Sequence, residues 1–422
     1  MEGLILGMDL CDDYSRLCCF RPEEMKPETI SLNEEGSSEL IPTVICKKKG
    51  EDSWLIGEEA YRLALYGGGT MVDKLVKLLR KEGSATIEGV KYQADELIAI
   101  FFRKLLEAAR HRYGQTEIIS LVLTVQTLEG RFLDQLIHIA ETAGVPRRLV
   151  HILSHTESYV YYVLSQEKQI WTGENVLFDL TENGLFYYDM KVIRGRRPQM
   201  AEASHEKLEE GFSLDVLDTA AGEKLGDTIL TACADRLFKK RLISSVFLTG
   251  KGFENTSWAP HFLKTICSKR RVFAEQNIFA AGAAYRGFDG LQPVTSYPYT
   301  MLCEGRIQST VSLAASVSGR KEQVVLALAG SNWYESKSSA EFILDDVPEL
   351  ELVVTPVIPP CRSEKIRVSL DELPARPVKT TRIEVIISFT GEKCMTVRII
   401  DKGFGDLFPA SGKMIRRDFY LS

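Results

Sequence analysis

Two short apolar runs, each closing on an aspartate, constrain this chain more than any other feature. Ile5-Leu6-Gly7-Met8-Asp9-Leu10 is the first, and Val176-Leu177-Phe178-Asp179-Leu180 repeats its plan about 170 residues later. An unbroken apolar run of this length reads as a strand buried on both faces. Each is followed by a second strand candidate: Arg16 to Phe20 after the first, and Leu185 to Val192 after the second, across an Asn183-Gly184 turn. A repeated strand–turn–strand unit predicts two lobes with a carboxylate at the mouth of each. Paired aspartates across a cleft suit a hydrated Mg²⁺ held against a polyphosphate.

The remaining pattern up to residue 290 alternates strands with helices. Leu40 to Cys46 reads as a strand, Val72 to Arg80 and Glu96 to Arg110 as helices, and Ile118 to Val125 as a buried strand. Phe132 to Ala143 is a helix stopped by Gly144, Val246 to Thr249 a short strand, and Ile278 to Tyr285 a helix of small residues. After a Gly287 to Pro293 linker the pattern changes to strands and turns. Candidates are Gln308 to Leu313, Val324 to Leu328, Glu341 to Leu344, Leu350 to Val357, Ile366 to Leu370, Arg382 to Phe389 and Cys394 to Ile400. Strands without helices predict an antiparallel β-sandwich. The expected domains are therefore 1–290, with lobe I at about 1–116 and lobe II at about 117–290, and 291–422.

Charge and composition exclude several classes. A net charge of −6 argues against nucleic acid as partner, because backbone binding needs clustered cations. The basic clusters Lys47 to Lys49, Arg194 to Arg197 and Lys269 to Arg271 are short and read as solvated turns. Apolar stretches fall short of a membrane span, and Met1-Glu2-Gly3-Leu4-Ile5 lacks a basic signal-peptide start, so a cytoplasmic location is expected. Nine scattered cysteines without a CxxC pair read as reduced buried thiols, although Cys11 and Cys18 are spaced to meet across a hairpin.

A third element reaches toward the same cleft. Ser245 to Thr249 runs into Gly250-Lys251-Gly252, a turn where backbone can approach a ligand closely. Together with Ala281-Gly282-Ala283-Ala284, the order and spacing of these segments resemble the DnaK-type heat-shock chaperones of the actin-like ATPase superfamily. Gly7-Met8-Asp9-Leu10 with Tyr14-Ser15 resembles that family's first phosphate motif, and Asp179-Leu180 the second. Leu248-Thr249-Gly250 resembles the adenosine motif. Ile41-Pro42-Thr43-Val44, Ile56-Gly57-Glu58-Glu59-Ala60, Leu123-Thr124-Val125, Ala143-Gly144 and Ile152-Leu153-Ser154 resemble segments between them. Leu370 to Pro374, Ile383 to Val385 and Val397 to Gly405 are similar to the end of the family's peptide-binding β-domain.

The resemblance implies a two-lobed α/β actin-like ATPase fold followed by an antiparallel β-sandwich like the chaperone peptide-binding domain. It also implies a site. Asp9 and Asp179 would hold Mg²⁺; Gly7, Asp12, Asp13, Gly184, Gly250, Gly252 and Gly282 would surround ATP or ADP. His155 or Glu157 would order the attacking water, with Lys74 or Lys77 as the active-site lysine. Ser154, His155 and Asp179 make a formal hydrolase triad, but a polar cleft-lining role for His155 is preferred.

The departures from the family pattern fall on this chemistry. Cys11, Asp12 and Asp13 stand where the family has a glycine and two threonines, and an ionised aspartate only accepts hydrogen bonds. At roughly 4 Å from a phosphate and an effective dielectric near 20, one carboxylate costs about 4 kcal/mol, some three decades of affinity. Thr181-Glu182-Asn183 replace the glycines of the second motif, leaving Gly184. Only 71 residues separate Asp179 from Gly250, too few for the small subdomain that would cap lobe II and wall the adenine pocket. Only 17 follow Gly405, so no helical lid is expected. The expected function is a degenerate, pseudo-ATPase scaffold that binds a protein partner or client peptide through loops such as Ser316 to Lys321 and Gly330 to Ser339. Trp333 and Tyr334 are read either as contacts or as sandwich plugs. The alternatives are a minimal Mg²⁺-dependent ATPase and an actin-type filament.

Overall fold

The computed structural model describes residues 3–32, 39–114, 116–195, 198–317, 319–345, 347–358 and 362–421, so Arg196 and Arg197 of one basic cluster lie outside it. The chain forms two compact units, Met1–Tyr299 and Thr300–Ser422. It is a mixed α/β protein, and no described helix is long and apolar enough to cross a membrane.

The first unit opens with strands β1 (Leu4–Asp9), β2 (Tyr14–Arg21) and β3 (Lys26–Thr29). The expected strand at 40–46 is two short ones, β4 (Ile41–Pro42) and β5 (Ile45–Lys48). There follow β6 (Trp54–Ile56), α1 (Gly57–Leu65), β7 (Gly69–Val72), α2 (Leu75–Arg80), β8 (Ser84–Ile87), β9 (Val90–Gln93) and α3 (Ala94–Arg112). Helix α2 begins three residues later than its apolar pattern suggests, because Gly69–Val72 pairs with β5. The start of α3 is fixed by a capping box, in which the Glu96 carboxylate accepts from the Gln93 amide at 2.7 Å.

Strand β10 (Ile118–Val125), α4 (Gly130–Thr142), β11 (Val150–Ser154) and α5 (His155–Leu164) come next. Strand β10 lies parallel to β1, from Leu4 beside Ile118 to Asp9 beside Thr124, and β11 lies parallel to β10. The expected lobe boundary at residue 116 is thus wrong. The first sheet has the order β11-β10-β1-β2-β3 and draws its outer strands from residues 118–154. A fully buried β1 needs a neighbour on each edge, and sequence adjacency supplied one of them only.

The second sheet repeats this plan with β12 (Glu174–Thr181), β13 (Gly184–Ile193), β14 (Gln199–Lys207), α6 (Ala220–Phe238), β15 (Ile243–Thr249), α7 (Pro260–Ile266), β16 (Arg271–Ala274) and α8 (Ile278–Asp289). Its order runs β16-β15-β12-β13-β14, with β12–β13–β14 antiparallel and β15 and β16 parallel to β12. Between β14 and β15 the regular elements are α6 and a single 3₁₀ turn, Leu214–Asp218.

Helix α8 is the keystone of the first unit. A Cβ on Gly282 would lie 1.9 Å from the Ser158 carbonyl oxygen of α5, and one on Gly7 2.1 Å from the Ala280 carbonyl oxygen. The small residues of α8 therefore let it touch α5 and lie on β1 backbone to backbone. Gly7 and Gly282 are thus required by the packing of these crossings.

Strand β17 (Tyr299–Leu302) spans the boundary between the units. The second unit contains β18 (Ser309–Val317), β19 (Arg320–Ala327), β20 (Ser338–Ile343), β21 (Glu349–Pro356), β22 (Glu364–Ser369), β23 (Arg382–Gly391), β24 (Cys394–Asp401) and β25 (Met414–Tyr420). They form two antiparallel four-stranded sheets, β19-β18-β21-β22 and β20-β23-β24-β25. Alternate residues are buried, as Leu350, Leu352 and Val354 or Ile383, Val385 and Ile387, which is the pattern of sheets covered on one face. Trp333 is buried, and so plugs the unit. Asp401 anchors the turn to β25: Arg376 donates to both its oxygens at 2.7 and 2.8 Å, and the Gly403 and Ser411 amides at 3.0 and 2.8 Å. Gly403, at φ +64°, has no room for a side chain beside Ala410, which explains the Asp401-Lys402-Gly403 motif structurally.

Candidate functional site

The carboxyl ends of β1 and β12 both face one cleft within the first unit, and each delivers its aspartate there. In the β1–β2 hairpin Asp9 lies directly opposite Arg16, so both side chains leave the same face of the sheet. The Arg16 guanidinium donates to Asp9 Oδ2 at 3.1 Å. His155 is the first residue of α5, whose start is capped by Ser154 Oγ accepting from the Glu157 amide at 3.0 Å. That cap aims the imidazole at β1, where Nε2 lies 2.8 Å from Asp9 Oδ1. Phe279 of α8 stacks on the ring at 4.1 Å.

Both oxygens of Asp9 are therefore engaged by neighbours. Burial by itself pushes this carboxyl up, but His155 and Arg16 outweigh burial and hold it below the usual carboxylate range. The Cys11 thiol donates to Asp9 Oδ1 at 3.4 Å and lies 3.8 Å from His155 Nε2. Burial, reinforced by the negative Asp9, raises that thiol well above its ordinary value.

Asp179 has different surroundings. Phe186 occupies the position opposite it in the β12–β13 hairpin, where Arg16 stands in the first. Burial lifts its carboxyl to about 6, against the pull of the Arg16 charge. Gly250, at φ +90°, closes over it; a Cβ there would lie 2.5 Å from Asp179 Oδ1. Gly252 lies against the Leu180 side chain, where a Cβ would come within 2.4 Å. Gly184, at φ +116°, forms the β12–β13 turn beside Lys207.

The acidic loop after β1 is tied down on both sides. Asp13 pairs with Lys74 and accepts from Asn183 Nδ2 at 3.3 Å, and Asp12 accepts from the Lys77 amide at 2.6 Å. Lys74 thus offsets one of the loop's two carboxylates. The cavity that remains measures about 70 Å³ and is lined by Asp9, Cys11, Asp12, Asp13, Arg16, His155, Asp179 and Glu182 among others. Ligand pockets are typically about 300 to 1,000 Å³.

The structure brings together Asp9, Asp179, His155, Asp12 and Asp13 around this cavity. Glu157 is fully buried within α5 and does not line it. Ser154 serves as a helix cap and His155 bonds to Asp9 rather than Asp179, so the formal triad is not assembled. Sequence reasoning missed Arg16 and Phe279. Arg16 could have been found by folding the first hairpin on paper, since a turn centred on Asp12-Asp13 sets residue 16 against residue 9.

A magnesium-bound polyphosphate does not fit these residues. Mg²⁺ takes oxygen ligands, and the Asp9 oxygens already accept from a guanidinium and an imidazole. Asp12, Asp13 and Glu182 face the space a phosphate would fill.

A model described as a domain of unknown function, DUF8552, matches residues 306–421. No curated protein matches the chain. Residues 26–304, which take in His155, Asp179 and Gly250 but neither Asp9 nor Arg16, match the C-terminal model of a family of unknown function, DUF5716, and the chain belongs to that family.

Proposed function

We propose that the chain is a DnaK-like protein with an actin-like core whose ATPase cleft has become a structural scaffold, and that it acts by holding a protein partner: a chaperone, a co-chaperone or an unfolded client. The repeated five-strand sheet plan, the aspartate at the end of each first strand and the small-residue crossing of α8 on α5 support the ancestry. One observation carries the loss of catalysis. Asp9, the residue that would order the metal, is bound internally by Arg16 at 3.1 Å and His155 at 2.8 Å. Replacing those contacts with a hydrated cation would strand a buried guanidinium, which costs several kcal/mol.

A thermal-shift experiment with ATP and ADP, each with and without Mg²⁺, tests the proposal. A micromolar site at millimolar nucleotide would gain about 4 kcal/mol. The expected result is a flat melting temperature in all four conditions. A rise of several degrees that needs Mg²⁺ and vanishes in Asp9→Asn would overturn the scaffold reading in favour of a working ATPase. Fluorescence anisotropy of a labelled unfolded polypeptide reads the client function, and saturable binding without nucleotide is the expected outcome.

A further inference from the structure

We infer that Asp9, Cys11 and His155 form a binding site for a thiophilic divalent transition metal of the zinc class. Three different donors converge: Asp9 Oδ1, Cys11 Sγ and His155 Nε2 are separated by 2.8, 3.4 and 3.8 Å. These distances define a triangle whose centre lies about 2.0 Å from every donor, and Zn–N and Zn–O bonds are about 2.0–2.2 Å with Zn–S about 2.3 Å. A metal slightly out of the triangle's plane meets all three.

The convergence has the pattern of ligation, not of nucleophilic catalysis. In a catalytic triad the base uses one ring nitrogen toward the nucleophile and the other toward the carboxylate. Here the thiol and the carboxylate share Nε2, while Nδ1 is buried without a hydrogen-bond partner. In the metal-free chain the donors are held together by protons. Cys11 donates its S–H to Asp9, and His155 donates its Nε2–H to the same oxygen. A metal ion takes the place of both. The thiol proton leaves to solvent, the imidazole proton moves to Nδ1, and a thiolate, a neutral imidazole and a carboxylate remain as ligands.

Charge and shell support the site. With Asp9, Asp179 and Arg16 ionised the metal-free cluster carries −1; adding a dication and losing the thiol proton brings it to zero. Arg16 on Asp9 Oδ2 then orients a ligating carboxylate from behind, as ligating carboxylates commonly are. The fourth position opens on the cavity shared with Asp179, which is the layout of sites that keep a place for water or a small anion. The same donors reject Mg²⁺, which has no use for thiol or imidazole. The Nδ1 proton finds no acceptor, which weakens the affinity by about 10–100-fold relative to a site with that partner in place.

The test is metal titration of the full, tag-free chain after stripping with a chelator. Expected are one Zn²⁺ per chain by calorimetry, one proton released per metal, and a thiolate-to-cobalt charge-transfer absorption when Co²⁺ is used. Cys11→Ser and His155→Gln should each weaken binding about a hundredfold or more. Replacing the exposed Cys267 and Cys394 with serine should leave binding unchanged. Absence of saturable binding, or absence of the thiolate band in the wild-type chain, overturns the assignment without needing any variant to fold. Binding that survives both Cys11→Ser and His155→Gln overturns it as well. The nucleotide experiment above is read separately, so either result stands without the other.

Discussion

Replacing Asp179 with asparagine should stabilise the metal-free protein, and do so only at neutral or alkaline pH. Asp179 is 5% exposed, and burial raises its carboxyl from 3.8 to about 6. Between these values the folded chain keeps a proton that the unfolded chain has released. Stability therefore falls as pH rises through this window, and the full penalty is present above it. A shift of about two pKa units corresponds to about 3 kcal/mol. Asparagine has the same shape and carries no charge, so Asp179→Asn removes that penalty. Urea unfolding followed by tryptophan fluorescence, in chelator, should show the variant more stable by about 3 kcal/mol at pH 8 and by less than about 1 kcal/mol at pH 4. The difference between the two pH values carries the test, because any packing defect of the amide appears equally in both. A gain that is the same at pH 4 and pH 8, or a loss at pH 8, would refute the claim that Asp179 is an unpaired buried acid.

Arg16→Met should act in the opposite direction, destabilising by about 3–5 kcal/mol, because it leaves Asp9 charged and buried with only His155 and the Cys11 thiol beside it; Asp9→Asn in the same chain should recover part of the loss in urea unfolding. Gly282→Ala should cost about 1–3 kcal/mol or more and broaden the melt, since its methyl group must push the Ser158 carbonyl of α5 away from α8. In the second unit, Arg376→Ala should destabilise by about 3–5 kcal/mol at neutral pH by orphaning Asp401. Burial opposes ionisation of Asp401, but Arg376 and the Ser411 and Gly403 amides overcome it and hold the carboxyl far below its ordinary value. Its contribution is therefore present above about pH 4 and lost as pH falls below that, and the acid limb of a stability–pH profile should flatten in the variant.

The parts of the fold legible in the sequence are those where a local pattern has a single physical cause. Ile118–Val125 is apolar throughout because both faces of β10 are covered, and its bounds are those of the apolar run. The Asn183-Gly184 turn gave the β12–β13 hairpin because a left-handed residue is needed there, and Gly184 supplies it. What was not legible depends on distant parts of the chain. That β10 and β11 join β1, and so move the lobe boundary past residue 154, follows from parallel pairing, which leaves no turn signal. Helices α6 and α7 were missed because their faces mix polar and apolar residues. Strand β25, with Arg416, Arg417 and Asp418 in succession and all exposed, carries too little apolar alternation to be seen. In the site, Asp9 and Asp179 could be found because each ends an apolar run. Their different fates could not, since the cation opposite one and the phenyl ring opposite the other are set by hairpin register.

The contact between Gly7 and α8 also orders events in time. The first strand leaves the ribosome well before the helix that lies on it, which is made about 270 residues later. Until then Leu4–Asp9 is an apolar strand with one face bare. The first sheet thus cannot mature as the chain grows, although most of its strands exist early. High separation between contacting segments slows folding and lengthens the period in which such an edge can pair wrongly. A nascent chain that stops between Ser154 and Ile278 has made every strand of that sheet but lacks the helix that covers β1.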